Sequence, residues 1–265
     1  MSALVILSID PSIGRVNKYS LPQQTLMEMF VENIDRSPDI CENGYTSTDI
    51  SDWNGLTLNG NREVTSIRWI DFSLEGEIDL TWLPLSVRTV KIIEQNLTGS
   101  LDFEDLPPSL EKLDLGYNDF TGTILLTQLP HVMIALKLSN NSLEGTLNLE
   151  HLPDTLEKLY LYANGFEGSV SLHKIPKTLH SLSIGDNQLS GSLDFTRLPS
   201  SLTEIYLQSN EFSGEADFSS LPEALTQLNV FNTQLEGTVH RKNYPTLRNI
   251  VAHDSKVNVV NSTIG

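Results

Sequence analysis

The amino-acid sequence predicts a solenoid of stacked β-strand repeats, and three periodic features support that prediction. One glycine and one proline each recur every 23 residues over most of the chain. Between them, leucines alternate with variable residues, which is the pattern of a strand with one buried face. The glycines are Gly76, Gly99, Gly122, Gly145, Gly168, Gly191, Gly214 and Gly237, and the prolines are Pro84, Pro107, Pro130, Pro153, Pro176, Pro199, Pro222 and Pro245.

The repeating unit reads L-P-x-x-L-x-x-L-x-L-x-x-N-x-[LF]-x-G-[ST]-[LIV]-x-[FL]-x-x. A unit of this length cannot bury its apolar face alone, so consecutive units must stack with their strands parallel. Residues 60–265 are therefore predicted to form about eight 23-residue repeats and a terminal partial repeat that begins at Tyr244. Alternation in stretches such as Ser192–Phe195 predicts a short second strand on the other side of each repeat.

An asparagine follows the first strand in the central units, where the turning chain leaves backbone groups in need of partners. Because an amide side chain both donates and accepts hydrogen bonds, we expect these residues to form a structural ladder. The glycine four residues later is expected to adopt a positive φ. The ladder is predicted to stop before the terminal repeats, where other residue types take its position. Its members are Asn118, Asn141, Asn164, Asn187 and Asn210, and the other types are Phe72, Gln95, Thr233 and Ser255.

This skeleton resembles the leucine-rich repeat family, specifically the 23–24-residue class whose N-x-[LF]-x-G turn is seen in plant receptors. The variant L-P-x-[ST]-L is similar to intracellular repeat proteins of flagellated protists. The resemblance covers roughly residues 60–260. It implies a leucine-rich repeat solenoid with a parallel β-sheet on the concave face, and with short second strands and irregular turns on the convex side. Because the family serves many binding roles, the resemblance specifies the fold and not the function.

Residues 1–59 are predicted to form an N-terminal cap with one short helix, at about 22–35, and a loop that contains Trp53. Leu26, Met29 and Phe30 recur near helical spacing. The stretch D-W-N-G-L-T-L-N-G-N-R-E-V-T resembles the plant-type N-terminal cap of the family, but Leu58 stands where that cap has a cysteine.

Two points about this segment stay open at the level of sequence. L-P-Q-Q-T-L-M-E-M-F-V-E-N is also interpretable as a degenerate repeat, because Leu-Pro and the trailing Asn33 match the unit. The stretch Leu4–Ile9 has the composition of a strand, but the sequence does not place it.

Composition disfavours several classes of partner. The net charge of −17 argues against a protein that binds nucleic acid through clustered Lys and Arg, and against docking on an anionic membrane surface. Cys41 is the single cysteine, so no internal disulfide forms. The apolar run near the N-terminus is too short for a signal sequence, and no stretch approaches the ~18 apolar residues of a membrane span. These features predict a cytoplasmic protein.

The sequence contains no pattern that predicts catalysis. The six histidines fall at different repeat positions, and we find no zinc-ligand spacing, phosphate-binding loop or nucleophile motif. Asp102 and Asp194 occupy equivalent outer positions and are expected to be solvated, not an acid–base pair. We therefore predict no enzymatic activity, no cofactor and no metal site.

The variable residues that flank the inward leucines are expected to project from the concave sheet. They combine basic side chains with exposed aromatic ones, and Tyr and Arg are enriched at binding hot spots. A plainer interpretation is a solvated sheet, since Lys and Tyr are tolerated in strands. The candidate partner-binding residues are Arg68, Lys91, Lys112, Tyr117, Lys137, Lys158, Tyr160, Tyr162, Tyr206 and Phe231.

The leading functional hypothesis is a non-catalytic protein–protein interaction module that holds a partner protein on its concave face. One alternative is a structural subunit of a large multiprotein assembly that uses the convex face or the solenoid ends. An extracellular ligand receptor domain ranks third, because the export and anchor segments and the cap cysteines of such receptors are not seen in the sequence.

Overall fold

The repeats stack into a β-solenoid, and the computed structural model describes residues 18–35, 39–41 and 49–261. Two parallel sheets form opposite walls of the solenoid, and one helix lies near the N-terminus. The predicted fold class, a leucine-rich repeat solenoid, is therefore confirmed. The stretch Leu4–Ile9 lies outside the described residues.

The regular elements are short and recur with the repeat. The helix α1 spans Gln23–Phe30. The strands are β1 (Leu56–Leu58), β2 (Val64–Ile70), β3 (Glu75–Glu77), β4 (Thr89–Ile93), β5 (Asn96–Thr98), β6 (Lys112–Asp114), β7 (Thr121–Thr123), β8 (Ala135–Lys137), β9 (Ser142–Thr146), β10 (Lys158–Tyr160), β11 (Gly165–Ser169), β12 (Ser181–Ser183), β13 (Gln188–Gly191), β14 (Glu204–Tyr206), β15 (Glu211–Glu215), β16 (Gln227–Asn229), β17 (Gln234–His240), β18 (Asn249–Val251) and β19 (Lys256–Val260). Single 3-10 turns lie at Lys18–Ser20, Ile50–Asp52, Leu80–Trp82, Leu126–Gln128, Phe218–Ser220 and Arg241–Asn243.

A ten-stranded sheet forms the concave wall. It contains β1, β2 and then every even-numbered strand from β4 to β18. Strand β1 pairs antiparallel with β2, and all other pairs are parallel. Residues 23 positions apart lie opposite each other, as Leu136, Leu159 and Leu182 do. The register of the sheet therefore equals the period of the sequence.

The second wall is made of short outer strands, which lie earlier in the repeat than predicted: β13 ends at Gly191, whereas the alternation predicts a strand over Ser192–Phe195. Seven of them, the odd-numbered strands β7 to β19, form one sheet, and β3 pairs with β5 in a separate two-stranded sheet. A single bridge between Ser100 and Thr121 links the two groups. The glycines that recur every 23 residues all have positive φ, between 78° and 135°. At Gly76, in the middle of β3, a Cβ atom would lie 2.2 Å from the carbonyl oxygen of Asn33, so this strand position tolerates no side chain.

One continuous apolar core runs between the two walls. It extends from Met27 in the helix to Val257 in the last strand and includes the inward leucines of every repeat. At the [LF] position of the repeat, leucine and phenylalanine alternate, so that a large side chain always packs between two smaller ones. The fully buried members of this column are Leu97, Phe120, Leu143, Phe166, Leu189, Phe212 and Leu235.

The N-terminal segment closes the first end of the core. Helix α1 begins after Pro22 and ends at Phe30, so it is shorter than the predicted 22–35. The Phe30 ring stacks on Trp69 with centroids 5.9 Å apart, and the Trp69 indole donates to the carbonyl of Asn54 at 3.0 Å. Because a helix stands where a repeat would need a strand, the degenerate-repeat interpretation is wrong.

The asparagine side chains join each repeat to the one before it. The amide nitrogen of Asn164 donates to the carbonyl of Leu161 at 3.2 Å and to that of Leu138, in the preceding repeat, at 3.0 Å. Its amide oxygen accepts from the backbone N–H of Leu143 at 3.1 Å. The same pattern is formed by Asn118, Asn141, Asn187 and Asn210.

Other residue types bond to the buried turn at the ends of the solenoid, and of these Gln95 also bonds to the preceding repeat. Gln95 accepts from the N–H of Leu74 at 2.8 Å and donates to a carbonyl of its own turn. The hydroxyls of Thr233 and Ser255 each donate to the carbonyl three residues earlier. The ladder between repeats therefore continues at Gln95, against the expectation, and stops at Thr233 and Ser255, as predicted. A hydroxyl or a longer amide satisfies the same buried turn.

A second set of links lies at the proline corner of the repeat. In L-P-x-[ST]-L, the hydroxyl donates to carbonyls of the preceding repeat; Thr155, for example, reaches those of His131 and Met133, both at 2.8 Å. Each repeat that carries such a hydroxyl is thus joined to its neighbour at two corners. The other donors at this position are Ser86, Ser109, Thr178, Ser201 and Thr246.

Removal of one ladder amide tests how much the solenoid depends on it. We expect Asn164→Ala to lower the free energy of unfolding by roughly 2–3 kcal/mol, because buried backbone groups of two repeats lose their partners. Urea denaturation measures this. Asn96→Ala is the matched control, since Asn96 is exposed and makes one long contact of 3.4 Å with Glu75. Equal effects of the two substitutions would contradict the role of the ladder.

The residue just before each ladder position lies in the left-handed region, which disfavours most L-residues. Its φ lies between 50° and 59° in every repeat, and in one repeat the residue is Ala163, which has no polar side chain to compensate. We expect Ala163→Gly to stabilise the protein by roughly 0.5–1 kcal/mol, because the relief of strain exceeds the added freedom of the unfolded chain.

The control for this substitution is Ala135→Gly. Ala135 lies in β8 and is buried, so glycine there weakens a strand and should destabilise the protein. The two variants are compared by the same urea titration. Shifts of the same sign would contradict the assignment of strain to Ala163.

Candidate partner-binding face

The ten-stranded sheet presents three parallel columns of side chains on its concave face. Each repeat contributes two inward residues to this sheet, which are Leu159 and Leu161 in the central repeat. The residues on either side of the first one form the first two columns, and the residue after the second one forms the third column. Strand pairing places Lys158, Ser181 and Glu204 side by side in the first column. It places Lys137, Tyr160, Ser183 and Tyr206 side by side in the second column. Gly116, Ser139, Tyr162, Gly185, Gln208 and Phe231 follow one another in the third.

All ten sequence-predicted residues lie on this face or in the turn that directly follows its strands. None of them is buried in the core. Exposed residues are Arg68, Lys112, Tyr117 and Lys158, and half-buried ones are Lys91, Lys137, Tyr160, Tyr162, Tyr206 and Phe231. The structure thus brings these side chains to one surface, as the alternation of the strands predicts.

The basic part of this face is partly neutralised by its own neighbours. The ammonium of Lys137 lies 3.4 Å from a carboxylate oxygen of Asp114 and 5.5 Å from the ring centroid of Tyr160. Arg88, at the edge of the sheet, pairs with Glu111 at 2.6 Å. Exposed pairs of this kind add little stability. Their main effect is to reduce the positive field that the row of lysines would otherwise produce.

Two tyrosines meet across an intervening repeat. The hydroxyls of Tyr117 and Tyr162 are 2.8 Å apart and share a hydrogen bond, although the two residues belong to the third and fifth repeats of the row. Ser139 and Asn140 occupy the repeat between them. The Ser139 hydroxyl and the Asn140 amide nitrogen are buried without a hydrogen-bond partner among the described residues.

Ionisation of two of these tyrosines is suppressed by their surroundings. The hydrogen bond to Tyr162, followed by the charge that Tyr162 would carry, raises the pKa of Tyr117. Burial, followed by the nearby Glu204 carboxylate, raises the pKa of Tyr206. The hydroxyls of Tyr117 and Tyr206 are therefore neutral hydrogen-bonding groups at physiological pH.

At the far end of the face, the Phe231 ring packs against His253 with centroids 4.3 Å apart.

Sequence reasoning missed a depression in the middle of this face. It has a volume of about 420 Å³ and is lined by Glu157, Lys158, Tyr160, His180, Ser181, Thr203 and Glu204. We call it the serine slot, because the buried Ser181 is part of its lining. Ser181 is more than nine-tenths buried, and its hydroxyl donates to Glu204 at 2.9 Å. The available signal was S-L-S-I-G at 181–185, which puts three small residues at outward positions.

Other kinds of site are not found in the described part of the chain. No group of three or more His, Cys, Asp or Glu side chains there is arranged to hold a metal ion. Among the described residues, no helix has the length and apolar character needed to cross a bilayer. The six histidines are all exposed. Asp194 accepts from Thr196 within its own turn, which lowers the pKa of its carboxyl.

Comparison with known proteins agrees with this geometry. A family model described as the leucine-rich repeat matches residues 107–126. Together with the 23-residue period and the two-walled solenoid, this match supports the leucine-rich repeat family. No curated protein sequence matches the chain.

Several solved structures share the fold. A pollen receptor kinase 3 is 24% identical, with a TM-score of 0.57 over 72% of this chain and 96% of that one. The ectodomain of the membrane receptor kinase GASSHO1/SCHENGEN3 from Arabidopsis thaliana, in complex with Casparian strip integrity factor 2, is 18% identical, with a TM-score of 0.61. The match covers 89% of this chain but 33% of that ectodomain, so the chain spans about a third of its length. A plant ice-binding protein is 17% identical, with a TM-score of 0.51 over 91% of this chain and 95% of that one.

The bond between the two tyrosines has a spectroscopic consequence. We expect Tyr162→Phe to move the pKa of Tyr117 down towards its ordinary value, because both the hydrogen bond and the neighbouring ionisable group are removed. The raised pKa also means that the pair stabilises the fold below the ordinary tyrosine pKa. This contribution is lost as the pH rises through the raised value. An NMR titration of the tyrosine rings follows the change.

Tyr206→Phe is the control for this titration, since Tyr206 makes no hydrogen bond to Tyr117. It should leave the titration of Tyr117 where it is in the native chain. An unchanged Tyr117 pKa in Tyr162→Phe would show that the two hydroxyls do not meet in solution.

Proposed function

We propose that the protein is a non-catalytic interaction module that binds a partner protein on its concave face. The supporting observation is the set of tyrosines on the ten-stranded sheet, Tyr117, Tyr160, Tyr162 and Tyr206, none of which contributes to the leucine core. A solenoid is already stabilised by its inward residues and its ladders. Aromatic side chains on the solvent side are therefore best explained by recognition.

The physical advantage of such a face is its rigidity. Each inner strand is held by neighbours on both sides; Lys137 already contacts Tyr160, and Tyr117 already contacts Tyr162. A partner that binds there orders few new side chains, so less of the interaction energy is lost to conformational entropy. The fold of the similar receptor ectodomain bound to a factor is compatible with this use.

We further propose that the protein has no enzymatic activity, cofactor or metal, and that it acts in the cytoplasm. The first part is supported by the exposed, scattered histidines and by solvated carboxylates such as Asp102. The second is supported by Leu58, which stands where the plant-type cap has a cysteine, and by the single cysteine of the chain. Microscopy of the tagged full-length protein in its own cells tests the location.

A structural subunit of a large assembly is the alternative role. It would use the outer strands β7–β19 or the ends of the solenoid instead of the concave face. Chemical cross-linking of the protein with its partners distinguishes the two roles, because Lys91, Lys112, Lys137 and Lys158 are all on the concave side.

A double substitution tests the concave face directly. We expect Tyr160→Ala with Tyr162→Ala to weaken binding of a cross-linked, identified partner at least tenfold, because two hot-spot aromatics are lost from the centre of the face. Thr121→Ala with Thr123→Ala, on the outer strand β7, is the matched control. Affinity is measured by calorimetry, and circular dichroism checks that both variants remain folded. An affinity unchanged in the first variant would refute the proposal.

A further inference from the structure

We propose that the serine slot receives one arginine side chain of the partner protein. This proposal rests on the proposed function, because it specifies the chemistry that the concave face recognises. Its experiment uses a small probe instead of the partner, so that the two proposals fail or succeed separately.

The slot has the width of a single planar group. Pairing of β10, β12 and β14 places Ser183 directly between Tyr160 and Tyr206. Neighbouring strands are about 4.8 Å apart, so a cation on the midline would be about 5 Å from either tyrosine. That distance is within the roughly 6 Å at which a cation interacts with an aromatic face. The slot therefore fits one cation between two rings.

The orientation of one wall is fixed by the protein's own cation. The Lys137 ammonium lies over the Tyr160 ring, 5.5 Å from its centroid, and Lys137 stands on β8, on the side away from Ser183. A ring that presents one face towards β8 presents the other towards β12 and the slot. Lys137 thus shows, within the same molecule, that this ring accepts a cation.

The polar groups at the slot are mainly acceptors. Glu204 stands in one wall with a carboxylate that the Ser181 hydroxyl already orients. At the other end, the Gln208 amide lies over Gly185, where a Cβ atom would be 2.5 Å from it. Its nitrogen donates to Asp186 at 2.9 Å, while its oxygen is buried with no hydrogen-bond partner among the described residues. A ligand that carries several donors and no acceptor complements such a site, and guanidinium is that group.

Charge and desolvation favour the same ligand. Glu157 and Glu204 outnumber Lys158 among the lining residues, and the chain as a whole carries a net charge of −17. The raised pKa of Tyr206, caused first by burial, indicates a shielded environment, in which charge–charge attraction is stronger than in water. Arginine is preferred over lysine because its planar head stacks on aromatic rings and donates in a fork.

The experiment is an NMR titration of the full chain with N-acetyl-L-argininamide. We expect binding at roughly millimolar affinity, with the shifts concentrated in the backbone amides of 181–185 and 204–208. Ser183→Leu fills the slot and should weaken binding at least tenfold, and Tyr206→Ala, which removes a wall, should have a similar effect. Thr89→Leu adds the same bulk to the concave face on β4 and should leave affinity within about twofold.

Two further probes separate charge from shape. N-acetyl-L-citrullinamide is planar but neutral, and N-acetyl-L-lysinamide is charged but not planar, so both should bind at least threefold more weakly than the arginine probe. Absence of shifts in the slot, equal binding of the citrulline probe, or full binding by both Ser183→Leu and Tyr206→Ala would overturn the assignment. Loss of partner binding in the Tyr160 and Tyr162 double variant would then still support the concave face, without the slot.

Discussion

The fold depends on one constraint: where each strand of the concave wall ends, the turning backbone must find hydrogen-bond partners inside a dry core. The ladder residues meet this requirement by reaching both their own turn and the preceding repeat, as Asn164 does with Leu161 and Leu138. Each asparagine amide donates to a backbone carbonyl 26 residues earlier in the chain. The period of the sequence therefore becomes the period of the structure. The leucines then supply the burial, but the amides determine the register.

Much of this architecture was accessible from sequence, because a requirement repeated in every turn leaves a repeated residue. The recurring glycines predicted a positive φ on the outer side of each repeat, and leucine alternation predicted which side chains face solvent. The start of the ladder was predicted wrongly, since Gln95 bonds to the preceding repeat as the asparagines do, whereas Thr233 bonds only within its own turn. A pattern that specifies one residue type does not reveal a substitute that bonds to the same groups.

Only part of the candidate site could be predicted from the sequence, for a related reason. Tyr160 and Tyr206 stand out in the sequence because they are large, whereas the depression beside Tyr160 is lined by the small, buried residue Ser181. Small polar residues are common on any surface, so their meaning depends on what stands on the adjacent strands. The contact between Tyr117 and Tyr162 was hidden in the same way, because it spans 45 residues and joins two different positions of the repeat.

The division between fixed and variable positions also explains how such a scaffold acquires specificity. On a regular sheet the strand spacing of about 4.8 Å sets an even grid, and a grid of similar side chains offers a partner shallow contact everywhere. Depth appears where one repeat omits bulk that both neighbours keep, as the repeat with Ser181 does between Lys158 and Glu204. The core tolerates that omission, because the inward Leu182 and Ile184 are unchanged by it. Recognition is thereby free to change from repeat to repeat, while the hydrogen bonds that hold the repeats together stay the same.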